Sequence, residues 1–282
     1  MKNLAASIQT RLHNLSREEK RDFVLISRLY MQEGILRRIG HSKYAESFCL
    51  KGGLLLYTLS GFKSRPTLDI DLLGLNIPSD AVSIQIILSK ILSIPIEDGL
   101  SFDTQSMSLQ EITEGADYHG QRVKVLCRLG SIRTNLKLDI GFGDIVFPGP
   151  VQMEYPLLLD SESFRISAYS LESVIAEKFE AMIILDIRNS RMKDFYDIYD
   201  ILINNMIDID SLKEAIRLTF ERRQTILPLK PAIFQNRFSS DPRNLQLWKA
   251  FLNRIKINQI DFSLIMEKLQ EYLYPVYKEI RG

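Results

Sequence analysis

Phe23, Ile26, Leu29, Tyr30 and Ile35 recur at helical spacing behind Ser16-Arg-Glu-Glu19, which reads as a capping box. Short apolar runs then predict a strand near 46–51, a helix near 53–60 and a second strand near 69–73. Ser79 opens an apolar helix through Leu92. Strands are predicted over 100–112, 121–129 and 132–142, separated by polar turns at 114–120 and at Gly130-Ser131. From about Ser170 the period becomes helical, with helices predicted over 170–187, 192–204, 211–223, 243–254 and 261–278. Ser211-Leu-Lys-Glu214 supplies another capping box. The fold class is therefore α+β, a mixed α/β arrangement. A sheet domain with an N-terminal helix occupies 1–165, and a helical lobe occupies 166–282.

Gly52-Gly53 stands where the first strand meets its helix, and Asp69 and Asp71 flank Ile70 in the second strand. Strand side chains alternate, so the two carboxylates converge on one side. Paired carboxylates beside a glycine turn suit two-Mg²⁺ phosphoryl transfer: hard cations take oxygen ligands, and amides at a helix start hold phosphate. Leu136, Leu138 and Ile140 alternate towards the core, which turns Lys137 and Asp139 to the opposite face. A strand beside 69–73 would add Asp139 as a third ligand; otherwise it is a solvent-facing carboxylate. Three like charges repel unless cations or protons relieve them, so Asp69→Ala or Asp71→Ala is expected to keep the fold, or even to stabilise it.

Lys51 and Arg65 are candidates for triphosphate contact, and Thr67 for orienting the loop or touching substrate. For Lys51 the bland alternative is a strand-end lysine reaching for water. Lys178 falls on the apolar stripe of Leu171, Val174, Ile175, Met182 and Leu185, where a lysine is costly unless it meets an anion. It reads either as a phosphate ligand or as an edge lysine reaching water. Asp194 and Asp197 share one flank of the next helix. One of them would fix Lys178 or act as a base, or else would pair with Arg188 or Arg191.

Charged residues make up 25% of the chain and the formal net charge is +1, so nothing global signals nucleic acid or membrane. No apolar run approaches the ~20 residues of a membrane span, and the first residues lack a hydrophobic signal region, which suggests the cytoplasm. Cys49 and Cys127 are expected as buried free thiols. Charge is uneven, however. Residues 222–258 carry eight basic side chains against Asp241 alone, with Phe234, Phe238 and Trp248 interleaved. Such a segment would track a phosphate backbone or form a solvated helical surface.

Tyr44-Ala-Glu-Ser-Phe-Cys-Leu-Lys-Gly-Gly53, Arg65-Pro-Thr-Leu-Asp-Ile-Asp-Leu-Leu-Gly74, Glu177-Lys-Phe-Glu-Ala181 and Lys193-Asp-Phe-Tyr-Asp197 occur in that order, after Asn3-Leu-Ala-Ala-Ser-Ile-Gln-Thr-Arg-Leu12. Together they resemble the AbiEii/AbiGii family of nucleotidyltransferase toxins over roughly residues 3–205. Leu68 departs from a position where that family often has a charged residue. The resemblance implies a polymerase-β-type nucleotidyltransferase fold whose helical lobe completes the nucleotide cleft. It implies transfer of NMP from an NTP to an RNA hydroxyl such as the tRNA 3′ end, and a cognate antitoxin. Asp69, Asp71 and Asp139 would hold two Mg²⁺ ions, and Lys51, Gly52, Gly53, Arg65, Thr67 and Lys178 would contact nucleotide. Asp194 or Asp197 would complete the catalytic set. The rival readings are transfer to a protein or small-molecule hydroxyl, and a catalytically inactive binder of nucleotide or RNA.

Overall fold

Contacts in the computed structural model, which describes residues 4–62, 65–114, 118–257 and 259–282, divide the chain into two units. The first comprises Met1–Gly143 with Pro150–Tyr169, and the second Asp144–Gly149 with Ser170–Gly282.

The first unit is built on a sheet of β1 (Phe48–Lys51), β2 (Asp69–Gly74), β3 (Leu100–Glu114), β4 (Tyr118–Leu129), β5 (Ile132–Phe142), β6 (Val151–Pro156) and β7 (Ser163–Ala168). Their spatial order is β3-β4-β5-β2-β1-β7-β6. The β2–β5 and β1–β7 pairs are parallel and the others antiparallel. Four helices accompany it: α1 (Leu4–Glu18), α2 (Phe23–Gly40), α3 (Gly52–Leu59) and α4 (Ala81–Leu92). Val123, Val125, Leu136, Leu138 and Ile140 are almost wholly buried, and α2 and α4 contact β5 and β3. Each such side chain contributes about 1.5–3 kcal/mol by leaving water. The alternation of β4 and β5 therefore fixes which face is core and which faces outward.

The second unit contains α5 (Leu171–Leu185), α6 (Met192–Asn204), α7 (Ile209–Arg222), α8 (Asn236–Ser240), α9 (Pro242–Ile255) and α10 (Phe262–Arg281). Its core is aromatic: Phe195 meets Phe238 and Phe262, and Phe179 meets Phe220, Phe234 and Tyr277. No helix among the described residues is long and apolar enough to cross a membrane. Cys49 and Cys127 are buried free thiols.

Several boundaries differ from the sequence expectations. Ser16 closes α1, its hydroxyl donating to the Arg21 carbonyl, and Asp22 caps α2 by accepting from the Val24 and Leu25 amides. Asp80 and Asp208, not Ser79 and Ser211, cap α4 and α7. In each case a carboxylate sat near the serine and won the capping position. The strands flanking 114–120 run further than expected, to Glu114 and from Tyr118; residues 115–117 of that turn lie outside the described residues. The helix α1 and the hairpin β6–β7 lie outside the elements predicted from sequence.

Candidate active site

Lys51 leaves β1 in an extended conformation and Gly52 opens α3 with φ +67°, the left-handed region that suits glycine. A Cβ on Gly52 would lie 2.3 Å from Asp71 Oδ2, so the carboxylate occupies the space a side chain would need. A Cβ on Gly53 would meet Thr67 Oγ1 at 3.1 Å and Arg65 Nη1 at 3.5 Å. Asp71, Arg65 and Thr67 thus gather against the first turn of α3, where backbone amides point outward. Lys51 is buried; its ammonium lies 3.4 Å from the Tyr169 hydroxyl and 5.1 Å from that ring's centroid.

The register of the sheet places the remaining groups. Asp71 stands opposite Lys51 on one side and Asp139 on the other, and Asp69 stands opposite Lys137. One strand further, Arg122 faces Asp139 and Lys124 faces Lys137. The three expected carboxylates therefore share one face, but cations accompany them. Arg122 donates from Nε and Nη2 to the two oxygens of Asp139, each at 2.9 Å. Lys137 Nζ lies 2.8 Å from Asp69 and 3.4 Å from Asp139. Burial pushes the Asp139 carboxyl up, but Arg122 and Lys137 outweigh it and hold the group below its ordinary value. Partial burial pulls Lys137 down, and its Asp69 and Asp139 contacts more than offset this.

Two expectations change as a result. The carboxylates are not left to repel one another, so removing Asp69 deletes an ion pair instead of relieving strain. Among the described residues no three His, Cys, Asp or Glu side chains are grouped as a metal cluster. The donor chemistry fits a hard cation at Asp69 and Asp71, which project from one face of β2. As a third ligand, Asp139 fits only if it loosens the Arg122 fork.

In the helical unit, Lys178 on α5 donates to Asp194 Oδ1 at 2.9 Å and to Asp197 Oδ2 at 2.7 Å, both on α6. All three are buried. Arg191 Nε approaches the second oxygen of Asp194 at 2.6 Å. Burial alone would raise Asp194; Lys178 and Arg191 outweigh it and hold the carboxyl below its ordinary value. Asp194 thus pairs with both Lys178 and Arg191, which the sequence offers as alternatives. Arg223 is also internal, binding Asp144, Glu177 and Glu180. Trp248 and Phe238 are core residues, so they are not a stacking surface within the basic segment.

Arg122, the bridging role of Lys137, and Tyr169 are absent from the sequence reading, which offers Arg191 only as an alternative partner of the aspartates. Alternation already turned Arg122 outward with Lys124, but only the β4–β5 register sets it against Asp139. Tyr169 had no local signal, since it follows a strand that had not been anticipated.

A family model described as "Nucleotidyl transferase AbiEii toxin, Type IV TA system" matches residues 34–273. That match begins later than the motif resemblance and runs on through most of the helical unit. Among solved structures, MenT4, a nucleotidyltransferase toxin from Mycobacterium tuberculosis H37Rv, is similar at TM-score 0.51 and 12% identity, covering 96% of this chain and 99% of that one. JHP933 from Helicobacter pylori is similar at TM-score 0.50 and 13% identity, covering 92% of this chain and 94% of that one. At such identities the likeness concerns the fold. No curated protein matches the sequence.

Proposed function

The chain belongs to the AbiEii nucleotidyltransferase toxin family and is a nucleotidyltransferase; from that premise we propose that it transfers NMP from an NTP to the 3′-hydroxyl of an RNA, the tRNA acceptor end being the foremost candidate. It would act in the cytoplasm and be restrained by its cognate antitoxin. The observation that carries the reading is the Asp69–Asp71 pair set against the glycine turn, where the α3 amides and a carboxylate face converge.

In this reading the first-turn amides of α3 hold triphosphate oxygens, and Arg65 adds positive charge. Thr67 steadies the loop against Gly53. Lys51 keeps its ammonium over Tyr169, positioned to offset phosphate charge. Lys178, fixed by Asp194 and Asp197, is assigned to the nucleotide, and those two aspartates to holding it. Asp69 and Asp71 would hold Mg²⁺, with Asp139 joining on loosening the Arg122 fork. Bound there, the ions supply Lewis-acid polarisation and make the attacking hydroxyl more acidic. The acceptor oxygen bonds to the α-phosphorus as the α–β bridging bond breaks. Pyrophosphate leaves with the bonding electrons and the hydroxyl proton passes to solvent. Positioning and charge neutralisation carry the acceleration.

The test is a labelling assay with purified protein, Mg²⁺, each α-³²P NTP in turn and total tRNA. Label is expected in tRNA with wild type, and none with Asp69→Ala or Asp71→Ala, both folded by circular dichroism. Label in protein or a small molecule would move the assignment to another acceptor. Normal transfer by either variant would remove the carboxylates from the mechanism.

A further inference from the structure

The outward face of β4 and β5 carries two charge pairings that a solvated sheet has no reason to keep. Lys124 stands directly opposite Lys137, and Arg128 directly opposite Arg133. Like charges in cross-strand register destabilise a sheet. Lys137 is relieved by Asp69 and Asp139, whereas Lys124, Arg128 and Arg133 have no ion-pair partner among the described residues. Their alternation with Val123, Val125, Cys127 and Leu129, all buried, fixes them on the face that carries Asp69, Asp71 and Asp139.

A hollow of about 400 Å³ opens on this face, lined by Ser106, Ser108, Lys124, Asn135, Leu136 and Lys137. A bulge in β3 shapes it: between Asp103 and Ser108 the strand advances five residues while β4 moves only from Leu126 to Lys124. The Ser106 amide and hydroxyl fold back onto Asp103. The hollow therefore combines an ammonium lacking an acidic partner with hydroxyl and amide groups, and Lys137 forms its wall towards Asp69.

We propose that this face is the acceptor subsite, which binds the sugar-phosphate backbone of a single-stranded RNA 3′ end. The inference rests on the nucleotidyltransferase reading and adds where the acceptor lies. The terminal hydroxyl would be presented at Asp69 and Asp71. The phosphate behind it sits in the hollow at Lys124, and the strand continues along the β4–β5 hairpin over Arg128 and Arg133. Lys124 and Arg128 are separated by about 13 Å at ~3.3 Å per strand residue, so this stretch of the track spans about two nucleotides of extended backbone. Charge complementarity selects this occupant, since a polyanion converts both like-charge pairings into favourable contacts. The basic segment 222–258, conspicuous in sequence, is not required.

The experiment is fluorescence anisotropy of a fluorescein-labelled 12-nucleotide single-stranded RNA with the full chain, over a range of salt and without NTP. Lys124→Gln/Arg128→Gln/Arg133→Gln is compared with a charge-matched control, Arg237→Gln/Lys249→Gln/Arg254→Gln. Loss of three phosphate contacts should weaken binding at least about tenfold at low salt and reduce the slope of log affinity against log salt by roughly 2. The control should keep the wild-type slope, and Lys124→Arg/Arg128→Lys/Arg133→Lys should recover it, which guards against misfolding. In the transfer assay KM should rise for RNA and not for NTP. Unchanged binding by the sheet variant, an equal loss in the control, or no RNA binding by wild type would each overturn the subsite. Absent label transfer with RNA binding still dependent on the three residues would instead sink the reading of RNA as the nucleotide acceptor and leave the surface standing.

Discussion

Gly52 resists substitution for two separable reasons. Its φ of +67° penalises any side chain, and a Cβ there would collide with the Asp71 carboxylate. Gly53 lacks the positive φ and has a looser contact at 3.1 Å to Thr67. Gly52→Ala is therefore expected to abolish transfer and Gly53→Ala only to reduce it, both retaining the circular dichroism of the folded protein. Equal activities would show that the turn does not position Asp71. Glu33 makes a different residue-scale point. It is buried on α2, accepts from the Leu158 amide at 2.7 Å, and burial pushes its carboxyl up to about 8 from 4.5. Between those values the folded chain keeps a proton that the unfolded chain has released, so stability falls as pH rises through the window. Glu33→Gln removes that dependence. In urea titrations it should match wild type near pH 5 and exceed it near pH 9 by on the order of 2–4 kcal/mol. An equal gap at both values would refute the assignment.

At the scale of elements, α5 and α6 are joined by a buried lysine between two buried carboxylates, and that bond makes structure and catalysis hard to tell apart. Lys178→Met removes the ammonium that Asp194 and Asp197 share, with Arg191 left on Asp194 alone, and should cost about 3–5 kcal/mol. Adding Asp194→Asn and Asp197→Asn should restore most of that stability in a urea titration while transfer stays absent. Recovery of transfer along with stability would reduce Lys178 to a strut. The helices themselves were legible because their apolar stripes are long: 192–204 was placed to the residue and the other long helices of this unit to within about three residues. The capping boxes at Ser16 and Ser211 misled, since a serine three residues before a glutamate cannot reveal that a better acceptor sits close by. Hairpin β6–β7 does alternate, with Met153, Tyr155, Phe164 and Ile166 on one side of each strand and Gln152, Glu154, Arg165 and Ser167 on the other, but each strand is only six residues long, too short a pattern to stand out. Positions of the carboxylates were readable from period two; their cationic partners were not, because register between strands distant in sequence leaves no local mark.

Across the whole molecule, a net charge of +1 gives an acidic polymer no general attraction. Affinity for the proposed RNA acceptor would therefore have to come from local arrangement, which bulk composition conceals. The chain also passes between its two units at three places, after Gly143, Gly149 and Tyr169. Within the excursion, the Phe147 amide donates to Ser173 Oγ, Ser170 Oγ donates to the Phe147 carbonyl, and Asp144 binds Arg223, so 144–149 is a working part of the helical unit. Truncation at residue 165 would bisect β7 and strand this segment, and the 1–165 fragment is expected to be recovered as aggregate, assayed by size-exclusion chromatography. A break at 146/147 has a different consequence. Each fragment then holds part of both units, and β7 can rejoin β1 through Leu50 and Ala168. Co-expressed halves would complement one another, making a toxin whose activity reports that two otherwise inert polypeptides have met.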